Sequence, residues 1–194
     1  NQDYRQAYQF FELVSNTSIT ENQISNINFY KQEAAYYKAY LAGKLKLPEA
    51  EQSLLRQYDN THDSRKNQLA YHLGDYYFGK GNYPQEEKWY ASATEQSLNE
   101  EWKDDYYFRY AYTLMENNKP TKAANYFEKN LLIKKSKYKS ETAYYLGVIY
   151  FNRKDFAQAE KFLQSIKTQD QTKGANYILA QIQFLNKNYA EVIR

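Results

Sequence analysis

The chain has 194 residues, enough for one domain or a short run of repeats around a real core. A content of 42% hydrophobic and 18% aromatic residues, 23 of them Tyr, excludes a disordered chain, and the longest apolar run, Tyr144 to Phe151, has eight residues; a membrane-spanning helix needs roughly 18. With no Cys there is no disulfide, thiolate nucleophile or cysteine zinc site, and 26 basic against 23 acidic residues is too even a balance for a nucleic-acid footprint.

Only six Gly and three Pro argue for helices joined by short polar connections. The run from Asp3 to Ala7, with Phe10, Phe11 and Val14 behind it, predicts a helix over 1–15 whose start carries an Asp3/Gln6 capping-box pair. Residues 16–25 are polar and read as a linker. A long helix follows around Phe29 to Gly43, with Tyr37, Lys38, Ala39 and Leu41 in its centre, and a shorter one is entered at Pro48-Glu49-Ala50. The same order returns as Leu73-Gly74-Asp75-Tyr76-Tyr77-Phe78 and then Asn82-Tyr83-Pro84-Gln85-Glu86-Glu87. A third copy is Tyr110 to Met115 with Ala123 to Phe127, and a fourth Tyr145 to Phe151 with Asp155 to Glu160. The last is Leu179 to Phe184, with Tyr189 to Val192 opening a helix cut short.

Aligned on a large residue followed by a small one, at positions 7 and 8, the units start near 31, 67, 104, 140 and 173, in steps of 36, 37, 36 and 33. A period this long means stacked two-helix units. In each, helix A carries the large-small pair with an aromatic or aliphatic residue one turn later. Helix B opens on an Asp or Asn cap with Gln or Glu three residues on: Asn82 with Gln85, Asp155 with Gln158, Asn188 with Glu191. Pro48, Pro84 and Pro120 fall in first turns of B helices, where a missing N–H costs nothing. Small residues at positions 8 and 20 let the two helices cross closely, pairing Gly147 with Ala159 and Ala111 with Ala123.

These positions resemble the tetratricopeptide repeat: aromatic or small at 4, Leu at 7, Gly or Ala at 8, Tyr at 11, Ala at 20, apolar at 24, best met by the unit that begins at Ser140. Lys38 and Glu86 depart from it, and the family's Pro near the unit end is missing. The resemblance implies an all-α fold, a solenoid of antiparallel helix pairs in a right-handed superhelix. A single array over 1–194 is expected: half unit 1–15, linker 16–25, units from about 31, 67, 104 and 140, and a partial unit from about 173. No polar capping repeat is legible and the start lacks Met and signal-peptide features, so a piece of a longer protein is expected, with self-association through exposed repeat ends.

His62 and His72 are the only histidines, His72 reading as a half-exposed helix residue, and neither sits in a metal-ligand cluster. Gly79-Lys80-Gly81 is an A-to-B turn without the strand of a phosphate loop, and Glu86-Glu87, Glu100-Glu101 and Asp104-Asp105 read as solvated faces rather than acid–base pairs. The lysines at 134, 135, 137 and 139 form a basic run best read as a solvated loop. No catalytic residue, metal site or cofactor emerges.

In the family, helix A lines the concave surface. Carried over by position, this implies a peptide groove of Tyr71, Phe108, Tyr144 and Tyr177 at position 5, Asp75, Tyr112 and Gln181 at 9, and Phe78, Met115, Phe151 and Phe184 at 12. Aromatic residues at helical spacing also serve as core between units, and both readings stand for each residue. The reading is therefore a non-catalytic scaffold that binds a peptide or helix of a protein partner, with no nucleic acid and no membrane span. The alternative is a regulatory region of a larger protein whose catalytic or signalling domain lies elsewhere. Aromatic- and Asn-rich arrays of long period look similar to bacterial envelope repeat proteins, which leans the setting towards periplasm or cell envelope over cytoplasm.

Overall fold

The computed structural model describes residues 2–62, 65–166 and 169–186, apart from the side chains of 169–171. Among these residues are ten α-helices, one short 3-10 turn and no strand. They form two compact units, Asn1–Leu98 and Asn99–Arg194.

The first unit contains α1(Gln2–Ser15), α2(Ile27–Leu45), α3(Ala50–Asn60), α4(Arg65–Phe78), α5(Tyr83–Ser92) and the 3-10 turn Glu95–Ser97. Successive helices pack in pairs, and α2 also touches α4. Helix α1 buries no residue fully. It lies on α2 through Phe11, stacked on Tyr37 at 5.2 Å, and through Glu12, paired with Lys38 at 2.8 Å. Lys38 keeps its ammonium at the surface, because burying an unpaired charge costs more than its stem gains. The fully buried large-small pair of α2 is consequently Leu41–Ala42, one turn beyond Tyr37–Lys38, on a helix that packs against α3, whose Ala50 and Leu54 are buried.

The second unit contains α6(Glu100–Glu116), α7(Pro120–Leu132), α8(Lys139–Asn152), α9(Phe156–Gln164) and α10(Gln169–Leu185). Here α6 pairs with α7, α7 with α8, α8 with α9, and α10 lies on both α8 and α9. Ala111 and Ala123 are buried as expected. The close approach at Gly147 is to Leu163, one turn past Ala159: a Cβ built on Gly147 would sit 2.5 Å from the Leu163 side chain.

Four helices, α2, α4, α6 and α8, end identically. Each is followed by a residue in the left-handed conformation: Lys46, Gly81, Asn118 and Lys154, spaced 35, 37 and 36 residues apart. The next N–H then bonds a carbonyl five residues back, Leu47 to Ala42, Asn82 to Tyr77, Lys119 to Leu114 and Asp155 to Tyr150. This Schellman closure satisfies the orphan carbonyls of the helix end and reverses the chain.

The B helices open partly as expected. Asn82 and Asp155 cap α5 and α9, accepting the N–H of Gln85 at 3.3 Å and Gln158 at 3.2 Å. Asp3 lies inside α1, where an acid favours the positive helix end, rather than at its cap. Pro84 and Pro120 occupy first-turn positions, whereas Pro48 stands two residues ahead of α3. The expected cap at Asn188 lies outside the described residues.

Two adjacent acid pairs depart from the solvated-face expectation. Glu86 is buried on α5, because it occupies the inward position that a small residue holds elsewhere. Asp104 and Asp105 anchor the α7–α8 elbow: Asp104 accepts from the Asn130 amide at 2.8 Å and the Lys137 N–H at 3.1 Å, and Asp105 accepts from the Tyr138 hydroxyl at 2.5 Å. Lys137, from the basic run, pairs with Asp105 at 2.8 Å.

Candidate functional site

Helix α10 is apolar on two opposite faces. Ala175, Ile178 and Ile182 are buried in a core with Ala159 and Leu163 of α9. At 100° per residue, Tyr177, Ala180, Gln181 and Phe184 fall on the other side of the helix, and Leu185 on the flank between the two faces. Together with Phe151 of α8 they line an apolar concavity of about 500 Å³. Tyr177 is 66% and Phe184 59% exposed. Phe151 forms the wall and is itself held by Phe156, with ring centroids 5.8 Å apart.

The structure thus gathers four of the residues expected in a groove, Phe151, Tyr177, Gln181 and Phe184. It gives others to packing. Tyr71 is 1% exposed and belongs to the core of the first unit, with its ring 6.2 Å from Tyr90, which overturns its assignment to an open groove. Phe108 is half-buried and stacks face to face on Tyr138 at 4.0 Å, bracing the α7–α8 elbow. Tyr144 receives Gly174 of α10, where an added Cβ would come within 2.9 Å of the ring. Tyr112 sets its edge on Tyr145 at 5.6 Å, and Phe78 and Met115 are half-buried. Asp75, in the first unit, holds Lys44 at 2.9 Å and accepts from the Tyr90 hydroxyl at 3.2 Å.

Ala180 and Leu185 complete the concavity without having been singled out in sequence. Their signal is the spacing 177, 180, 181, 184, 185, an apolar stripe of helical period interrupted only by Gln181. Among the described residues no group of three or more His, Asp or Glu could hold a metal, and no helix is long and apolar enough to cross a membrane.

Within each unit, helix pairs closed by a recurring left-handed turn and packed pair on pair are the architecture of an α-solenoid. The model of the tetratricopeptide repeat family matches residues 108–174, from the middle of α6 into α10. Over those residues the chain carries tetratricopeptide repeats. No curated protein and no solved structure matches it. Repeats of this family are generally protein-interaction modules and typically non-catalytic.

Proposed function

We propose that this chain is a non-catalytic scaffold that holds a peptide or helix of a protein partner, and that the apolar concavity on α8 and α10 is its contact surface. The observation that carries this reading is the second apolar face of α10. A helix of a water-soluble unit needs one apolar stripe to join the core, and Ala175, Ile178 and Ile182 already supply it. Tyr177, Phe184 and Leu185 add exposed apolar area that contributes nothing to that core, the usual mark of an interaction patch. Aromatic side chains suit this purpose, since they offer large contact area for little conformational entropy. A lining of aromatic and aliphatic side chains with one amide, Gln181, selects an amphipathic segment presenting Leu, Phe or Met at helical spacing. The setting we propose is an assembly of the bacterial envelope, on the strength of the Tyr- and Asn-rich composition and the long repeat period.

Selection of displayed random peptides against the full chain tests the reading. Peptides carrying apolar residues at i and i+3 or i+4 are expected, and replacing Phe151, Tyr177 and Phe184 together with Ser should weaken their binding more than tenfold with helicity kept. Peptides that bind this variant equally well would overturn it. Tyr144→Ala serves as the contrast, because its seat on Gly174 predicts loss of stability instead of loss of capture.

A further inference from the structure

His72 departs from the half-exposed position its sequence suggested: it is 4% exposed, at the centre of the first unit. Aromatic rings surround it, Tyr40 with its centroid at 4.5 Å and Tyr71 at 5.3 Å, and the Tyr36 hydroxyl lies 3.3 Å from its Nε2. A cavity of about 40 Å³ adjoins the imidazole, bounded also by Gly43, Lys44, Leu54 and Asp75. Helix α2 brings Tyr36, Tyr40 and Lys44, and α4 itself brings Asp75, whose carboxylate is held by Lys44. From α3 the nearest lining residue is Leu54, while the acid Glu51 is taken by Tyr77 and Lys80. From α5 come Tyr90, bonded to Asp75, and the buried Glu86 one turn before it. The 3-10 turn contributes a Ser97 carbonyl that accepts from Gln68.

We propose that His72 makes the unit Asn1–Leu98 acid-labile: protonation puts a positive charge on an imidazole that α2 and α4 enclose with aromatic rings, so mild acid opens this packing while the helices of Asn99–Arg194 hold. Burial pushes the imidazole down to about 3, against the pull of Asp75 and with the help of Lys44. The sign follows from that direction. A histidine whose folded pKa is depressed contributes stability fully above its unfolded value, about 6.5, and loses it as pH falls towards the folded value.

The chain holds one Trp in each unit, Trp89 in α5 and Trp102 in α6. Urea unfolding of the full chain, followed by fluorescence in Trp102→Phe and Trp89→Phe variants, therefore reads the two units separately. In the Trp89 channel the folding constant should fall about 30-fold between pH 7.5 and 5, one proton's worth of linkage. The Trp102 channel should fall less over the same range. His72→Phe should remove the difference, with His72→Gln as the second variant should the bulkier ring prevent folding. The imidazole resonance gives a reading that needs no core substitution: in a His62→Gln background it should stay at its neutral position between pH 7 and 5. A His72 variant that keeps the full pH dependence, or a native imidazole that titrates near 6.5, would overturn the proposal.

Discussion

Gly147 shows how a single missing Cβ sets a helix crossing. In an exposed helix interior, Gly→Ala gains about 0.5 to 1 kcal/mol from backbone entropy. At Gly147 the added carbon would lie 2.5 Å from Leu163, so the sign reverses and Gly147→Ala should destabilise by about 1 to 3 kcal/mol. Thermal unfolding of Gly147→Ala, Leu163→Ala and the double variant checks this. The double variant should cost less than the sum, because truncating Leu163 makes the room that the new methyl needs. Gly81 is the opposite case: no side chain stands within 4 Å, and its need is a φ of 66°. Gly81→Ala should therefore cost about 1 kcal/mol through backbone strain alone, measurable as a lower urea midpoint.

At the scale of elements, the connection from α7 to α8 is specified by polar bonds as much as by its apolar contacts. Asn130 is buried and donates to both the Asp104 carbonyl and carboxylate, while its own carbonyl oxygen accepts from Ser136 at 3.1 Å and Thr142 at 2.7 Å. From α7, this residue satisfies groups on the two neighbouring helices, α6 and α8, and on the turn that leads to α8. Asn130→Ala leaves each of those groups to find water or go unpaired, at about 1 to 3 kcal/mol for a buried one. Hydrogen exchange should then show loss of protection centred on residues 130–142, with the α8–α9 pair retaining its protection. Protection unchanged around the elbow would show that the stack of Phe108 on Tyr138 suffices to hold it.

Over the whole molecule, tyrosine hydroxyls are a recurrent fastening between helices. Tyr8 bonds Glu49 at 2.8 Å, Tyr77 bonds Glu51 at 2.7 Å and Tyr150 bonds Glu128 at 2.8 Å. Burial and the bonded carboxylate push Tyr77 up to about 12, and burial raises Tyr8 and Tyr36 further. A tyrosine raised in the fold contributes stability that is complete below its unfolded pKa, about 10, and lost as pH climbs through the folded value. Alkaline titration at 295 nm should accordingly show one set of tyrosines ionising reversibly near pH 10 and a second set ionising only as helical circular dichroism is lost. On the acid side the Tyr77 bond holds Glu51 below the ordinary carboxyl range, a contribution lost as pH falls. A separate expectation concerns α1, which leaves Phe10 61% and Leu13 71% exposed. Sedimentation velocity should detect concentration-dependent association that the pair Phe10→Ser and Leu13→Ser removes.

The helical class, the period near 36 and the entries to α5 and α9 were determined by the sequence alone, because helix periodicity, Asx caps and first-turn prolines act over a few neighbouring residues. The recurring left-handed closure was not legible, since Lys46, Gly81, Asn118 and Lys154 share a conformation and no side-chain chemistry. Only tertiary structure decided which aromatic residues are core and which are surface. Tyr71, Tyr144 and Tyr177 hold the same residue type at the same position of their units, yet one is sealed in the core, one receives Gly174 and one faces outward. What separates them is the helix standing opposite. The same holds for His72 and Glu86, polar residues that local pattern places on open faces and that neighbouring helices enclose, because burial belongs to the packed pair and not to the single helix.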